Sequence, residues 1–251
     1  MLTSTTSTHA AARRAESAAA PSAHNAARCS TCAMRHLCVP QGVSAAELPK
    51  LEALICTARS VHRGEALYRA GNRFDSLYAI RSGSLKTMMA HRDGREQVTG
   101  LRLAGEALGF DGISTDVHAC SAVALEDSSV CIIPYVALKH LCREVGSMQD
   151  RLHKLMGEQI VREAGQMMLL GSLNADERVA AFLLDVSERN AQRGYSSAEF
   201  NLRMTREDMG SYLGMTLETV SRTLSKFQKR GLIGARGKFI HIVDSDGLRH
   251  L

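Results

Sequence analysis

The chain has 251 residues, 45% apolar and 23% charged side chains and a formal charge of +5, the profile of a globular protein with material for one large or two modest domains. No stretch approaches the roughly 18 uninterrupted apolar residues of a membrane span, which excludes an integral membrane protein of helical type. Seven cysteines, an odd number in a chain too long to need disulfide stapling, point to thiols kept reduced for packing or ligation and to a cytoplasmic setting.

In chain order, residues 1–28 hold 10 Ala and 8 Ser or Thr, and no h-region follows Arg13-Arg14. They read as a flexible segment outside the fold, not as an export signal. Next, Cys29-Ser30-Thr31-Cys32 and Cys38 place three thiols within ten residues. Soft thiolates on a loop of this length suit a zinc ion or an iron–sulfur cluster better than core packing. A fourth ligand has to come from elsewhere. Cys56 and Cys142 follow apolar residues in predicted helices and read as core, whereas Cys120 and Cys131 fall in predicted strands able to approach the loop. Geometry leaves those two level. His36 reads as a surface residue, because four thiols are available without it.

Helical spacing from Leu48 to Thr57 gives way to short segments such as 66–68, 76–80, 85–88 and 130–133, separated by Gly71, Gly83, Gly94, Gly105 and Gly109. This pattern predicts a β-roll or barrel of about 90 residues built of hairpins. After Pro134 the period turns helical, and from Ser147 to Ser172 nothing interrupts one long helix. Its stripe of Met148, Leu152, Met156, Ile160, Glu163, Met167 and Leu170 has the three- and four-residue steps of a seam between two chains. Glu163 interrupts that stripe. In a two-fold dimer it would meet its own copy, so that charge repulsion makes dimerisation adjustable; as a lone seam carboxylate it would instead reach out to solvent.

The last 51 residues carry nine Lys or Arg against five Asp or Glu, a local basic surplus that suits nucleic acid. Within them Thr205 is placed to cap a helix through Leu213, Gly214 to make a tight turn, Thr216 to cap a second helix and Gly231 to end it. Gly210 permits close approach. The second helix puts Leu217, Val220, Leu224 and Phe227 on one face and Glu218, Ser221, Arg222 and Ser225 on the other. Arginine donates to guanine and glutamate accepts from cytosine, so Glu218 and Arg222 suit one G·C pair; their spacing also suits an intrahelical salt bridge. Residues 232–235 and 239–243, flanking Arg236-Gly237-Lys238, predict a wing with a basic tip.

A cysteine cluster, a β-roll, a seam helix and a winged helix-turn-helix together resemble the Crp/Fnr superfamily of transcription regulators, and within it the oxygen-responsive Fnr branch. The likeness runs from about Cys29 to Gly247 through CSTCAMRHLCVP, LYAIRSGSLK, VCIIPY, NADERVAAFL and MTREDMGSYLGMTLETVSR. The resemblance implies that Cys29, Cys32, Cys38 and Cys131 hold a [4Fe-4S] cluster, that Glu218, Ser221 and Arg222 read TTGAT-type half-sites, and that Ile160 and Glu163 belong to a dimer switch. By the same resemblance Leu217 stands where cyclic-AMP-binding members have a base-contacting arginine, and Cys120-Ser121 where they hold the nucleotide phosphate with Arg-Ser, so a cyclic nucleotide is disfavoured.

The fold class expected is therefore α+β: a flexible segment 1–28, a cluster-binding β-roll sensor domain 29–145, a dimerisation helix 146–172 and a winged helix-turn-helix DNA-binding domain 173–251. The function expected is that of a cytoplasmic homodimer, not an enzyme, which binds palindromic promoter DNA when oxygen is low and engages RNA polymerase. Asp93-Gly94-Arg95 departs from the family here, because Arg95 stands in an activating loop that carries an acidic residue in the best-known member. A zinc-based or thiol/disulfide regulator of the same fold is the alternative, and an electron-transfer or enzymatic iron–sulfur protein is a further rival that the helix-turn-helix disfavours.

Overall fold

In the computed structural model, residues 28–40, 43–55 and 57–251 are described. The segment 1–27 and Cys56, both subjects of expectations above, lie outside the described residues. Two antiparallel four-stranded sheets form the roll. One has the order β1 (Thr57–Val61), β8 (Ser128–Pro134), β3 (Ser76–Ser82), β6 (Ala107–Leu108), and the other β2 (Ala66–Tyr68), β7 (Ser121–Ala124), β4 (Ser84–Ala90), β5 (Glu96–Leu103). Strand alternation fills the space between them: Ala122 and Ala124 of β7, Ile80 of β3, Leu85 of β4 and Val130 of β8 are all at most 2% exposed.

Before the roll come a single helical turn, α1 (Arg35–Cys38), and α2 (Leu48–Leu54). Two expectations need correction. The cysteine segment is not all loop, since α1 carries Cys38. The helix expected from about Leu48 to Thr57 ends at Leu54, and Thr57 already pairs with Ile132 in the sheet; its β-branched side chain belongs to the strand that follows.

Helix α3 (Tyr135–Glu144) leads into α4 (Gly146–Ser172), the long helix expected from the unbroken period. Then α5 (Ala175–Gln192) starts at a capping box: the Asn174 side chain accepts from the Asp176 and Glu177 backbone, and Glu177 accepts from the Asn174 N–H at 2.7 Å. A three-stranded sheet of β10 (Ile233–Arg236), β11 (Phe239–Ile242) and β9 (Glu199–Asn201) forms the wing around α6 (Arg206–Leu213) and α7 (Leu217–Lys229), and α8 (Ser245–Arg249) closes the chain. The expected wing hairpin is present. Its third strand, only three residues long, was not expected. Among the described residues no helix is long and apolar enough to cross a membrane.

The two halves share a core. Val98, Leu101 and Leu125 of the roll pack with Leu183, Met209 and Leu213 of the C-terminal half. Polar contacts reinforce the join: Ser211 Oγ accepts from the Val98 N–H at 2.8 Å, and Lys86 Nζ lies 2.5 Å from Asp208 Oδ1. Burial pushes the Asp208 carboxyl up, but Lys86 and the Thr205 N–H and hydroxyl outweigh it and hold the group below its ordinary value. The stabilisation is thus present above the unfolded-state pKa and is lost as pH falls through the folded one. Lys86→Met is expected to cost about 1–2 kcal/mol at neutral pH, in urea unfolding, with the difference from the parent narrowing below about pH 4.

Candidate functional site

The cysteine segment is moored to three parts of the fold. The Ser30 N–H donates to Glu52 Oε1 at 2.7 Å, and the Cys38 thiol donates to the Gly105 carbonyl at 3.6 Å. Gly105, at φ +86°, is favoured there twice over: a Cβ would lie 2.6 Å from Leu37 Cδ1, and residues with a side chain rarely adopt the angle. Arg151 of α4 donates from Nη2 to the Leu37 carbonyl. His36 faces the carbonyls of Ala33 and Gln192 at 3.1 and 3.2 Å, so its ring is engaged away from the thiols.

Cys29, Cys32, Cys38 and Cys131 line one cavity of about 30 Å³, with Val39, Ile55, Ala79 and Ile80 as apolar walls and Arg28, Arg35 and Arg81 around them. Cys131 reaches it from the middle of β8, opposite Ala58 of β1 and Ala79 of β3. Among the described residues no group of three or more His, Cys, Asp or Glu side chains has the geometry to hold a single metal ion. Burial, then the neighbouring Cys131 and Glu52, push the Cys29 thiol up to about 11, and burial, then Cys32 and Cys131, push Cys38 up to about 12. Burial and Cys32 raise Cys131 too.

Cys120 is not on this cavity. It sits just before β7, where its N–H donates to Asp111 at 3.2 Å, and burial with the Asp111 charge pushes its thiol up to about 12. Cys142, in α3, is a buried core residue.

The seam residues of α4 divide into two groups. Met148 is buried and Leu152 packs beside it in the core that contains Cys29. Farther along, Ile160 and Met167 are 65% and 69% exposed, with Val161 and Met168 nearby at 72% and 67%. Glu163 stands exposed among them and accepts from Gln159 Nε2 at 2.5 Å.

In the C-terminal half, the Thr205 side chain accepts from the Asp208 N–H and Thr216 accepts from the Thr219 N–H, and Gly214 turns the chain at φ +64°. A Cβ on Gly210 would lie 2.6 Å from the Met215 carbonyl, so the two helices cross at backbone contact. Val220, Thr223, Leu224 and Phe227 are the buried residues of α7. Leu217, expected on that face, is 44% exposed at the helix start. Glu218 and Arg222 are exposed and Ser221 is half-buried beside them. Arg222 Nη2 donates to Thr219 Oγ1 at 3.3 Å instead of pairing with Glu218, and the Glu218 N–H and the Thr216 hydroxyl hold the Glu218 carboxyl below its usual range. Both side chains stand on the solvent-exposed face of α7. At the wing, Arg206 Nη2 donates to the Gly237 carbonyl at 2.9 Å, fixing the basic tip against α6.

Residues 177–251 match the Crp-like helix-turn-helix domain family and residues 58–145 the cyclic nucleotide-binding domain family. The chain is 42% identical over 231 residues to the transcriptional regulatory protein btr of Bordetella pertussis, covering 92% of this chain and 96% of that one. It is also 42% identical to the fumarate and nitrate reduction regulatory protein of Escherichia coli K12, covering 90% of each. The chain belongs to the Crp/Fnr family of transcription regulators. Among solved structures, FixK2 of Bradyrhizobium japonicum is similar, with a TM-score of 0.72 and 30% identity over 78% of this chain and 96% of that one.

Within this Crp/Fnr regulator, two sets of residues escaped sequence reasoning. Arg151 joins the cysteine segment to α4 across 114 positions, and Glu106 of the roll accepts from Arg189 of α5 at 2.9 Å and from Arg193. Burial works against the Glu106 charge, but Arg189, Arg162, Arg193 and Arg102 overcome it. Neither pairing leaves a local signal, because the partners lie 83 to 114 positions apart in the chain.

Proposed function

We propose that this Crp/Fnr regulator is an oxygen-responsive homodimer whose Cys29, Cys32, Cys38 and Cys131 hold a [4Fe-4S] cluster. The observation that carries the reading is the shared cavity of these four thiols, tied through Leu37 and Arg151 to the seam helix. The chemistry of the donor set suits the group: four soft ligands, apolar walls and three arginines to balance its negative charge. A bound cluster would supply the oxygen-labile chemistry. In the alternative, a thiol/disulfide switch of the same fold, these thiols would carry no metal, so iron and acid-labile sulfide content separates the two readings.

The chain's own residues do the rest. Arg151 and the packing of Met148 and Leu152 beside Cys29 transmit the state of the loop to α4. The exposed Ile160 and Met167 supply apolar seam area, and Glu163 opposes pairing with its copy. A dimer places two recognition helices on a palindrome, whereas one monomer loses half of the contacts and the gain in effective concentration. Glu218, Ser221 and Arg222 read TTGAT-type half-sites, in a cytoplasmic protein that acts by binding and not by catalysis.

A cyclic nucleotide has no support in the roll. Tyr68 stacks on the buried His118 at 3.8 Å, Cys120 offers no positive charge for a phosphate, and the Ser121 hydroxyl already accepts from the Ala70 N–H at 3.0 Å. At the loop proposed to meet RNA polymerase, Arg95 Nε pairs with Asp93 Oδ2 at 2.8 Å, which offsets the acidic charge that the loop otherwise presents.

Fluorescence anisotropy without oxygen tests the readout. The parent is expected to prefer a TTGAT palindrome to a scrambled duplex, and Arg222→Ala to lose about 1–3 kcal/mol of that preference with its iron content unchanged. Equal affinity of the parent for both duplexes would reject it.

A further inference from the structure

A cleft of about 1100 Å³ lies between the roll, α4 and α5, apart from the thiol cavity. Three polar residues on its walls have hydrogen-bonding capacity that the fold does not use. Arg102 is only 7% exposed, yet its guanidinium forms no hydrogen bond or ion pair among the described residues; the Glu106 carboxylate, whose charge acts on it, is taken by Arg189, Arg193 and Arg162. Ser147 Oγ and Arg151 Nε are buried without a partner. Folded proteins leave few such groups unsatisfied. All three residues offer N–H or O–H donors, and they approach from the roll and from α4, which suits the acceptors of an anion.

We propose that this cleft binds a compact, phosphate-bearing small molecule, with Arg102, Ser147 and Arg151 donating to a phosphate and Lys154 meeting a second anionic group at the rim. Donors arriving from separate elements match a tetrahedral acceptor better than a planar carboxylate. Among the described residues Phe110 is the one phenyl or phenol ring on the walls, which gives little stacking for a nucleobase. Asp150 and Glu188 also line it and select against an extended polyanion. Glu158 and Asp185 are already paired with Arg151 and Arg189 at 3.7 and 2.8 Å.

The cleft is distinct from the family's nucleotide position, since neither Cys120 nor Ser121 lines it. It also stays open in a dimer built on the seam. Ser147, Arg151, Lys154, Glu158 and Arg162 follow three- and four-residue steps along one side of α4, and Met156, Ile160, Glu163 and Met167 follow the same steps along the opposite side. A ligand there touches roll, long helix and α5 together, so its differential affinity for their arrangements would bias DNA binding.

Calorimetric titration of the oxygen-free, full-length protein with fructose 1,6-bisphosphate at fixed ionic strength tests the site. Saturable binding of one molecule per chain is expected, with none for fructose. Arg102→Met is expected to weaken binding about tenfold or more, and the rim variant Lys154→Gln about threefold. Ser147→Ala, which removes a hydroxyl that has no partner among the described residues, is expected to weaken it about fivefold and decides the matter if Arg102→Met does not fold. No saturable binding by the parent, or equal binding by the parent and all folded variants, would overturn the proposal.

Discussion

Cys131→Ser is expected to abolish the iron centre and, with it, dimerisation and specific DNA binding without oxygen. Three of the proposed ligands share the segment 29–38, but the fourth, Cys131, is supplied by β8. A serine oxygen is a hard ligand and a weak substitute for thiolate on iron. The fold should survive, because Cys131 pairs with Ala58 and Ala79 through its backbone and is only half-buried. Iron and acid-labile sulfide in the purified variant are expected to fall to near background, with the unfolding transition little changed. Cys120→Ser is the matched control: it also replaces a thiol in the roll, away from the cavity, and should keep its iron. Full iron in Cys131→Ser together with loss in Cys120→Ser would reverse the ligand assignment.

Glu163→Ala is expected to yield a dimer in air. Two carboxylates facing each other at about 4 Å repel by up to about 4 kcal/mol at the effective dielectric of a protein surface. Removing both should therefore tighten the air-exposed dimer by about 2 kcal/mol or more, some thirtyfold in dissociation constant. The exposed Ile160, Val161, Met167 and Met168 supply the apolar area that drives association once the charge is gone. Sedimentation equilibrium in air measures it, with Glu163→Asp, which keeps the charge, expected to stay monomeric. An unchanged Glu163→Ala profile would reject repulsion as the switch and leave Glu163 a solvated carboxylate held by Gln159.

What the sequence disclosed depended on the range of the signal. The helix-turn-helix was legible almost residue by residue, because Thr205, Gly214 and Thr216 act on their own neighbours through caps and a left-handed turn. The long helix was legible from its unbroken period. Short-range rules misplaced residues where two elements meet: Thr57 continued an apolar period but belongs to β1, and Leu217 fits the buried face of α7 by spacing yet is exposed.

The cysteine centre was legible in three of its proposed members and ambiguous in the fourth. Nothing local separates Cys120 from Cys131; strand pairing does, by setting Cys131 at the cavity and Cys120 beside Asp111. The mechanical link was not legible at all. Arg151 and Leu37 are 114 residues apart and meet only once the roll has folded against α4, and the seam period did not reveal that Met148 and Leu152 would be used within the chain.

The most direct measurement is made on protein purified without oxygen: iron, acid-labile sulfide and visible absorption per chain, followed by sedimentation while air is admitted. The expected result is about four iron and four sulfide per chain, with colour and dimer lost together in air. Zinc in place of iron, or a metal-free protein whose dimer depends on thiol oxidation, would contradict the oxygen-labile cluster while leaving the DNA-binding family intact.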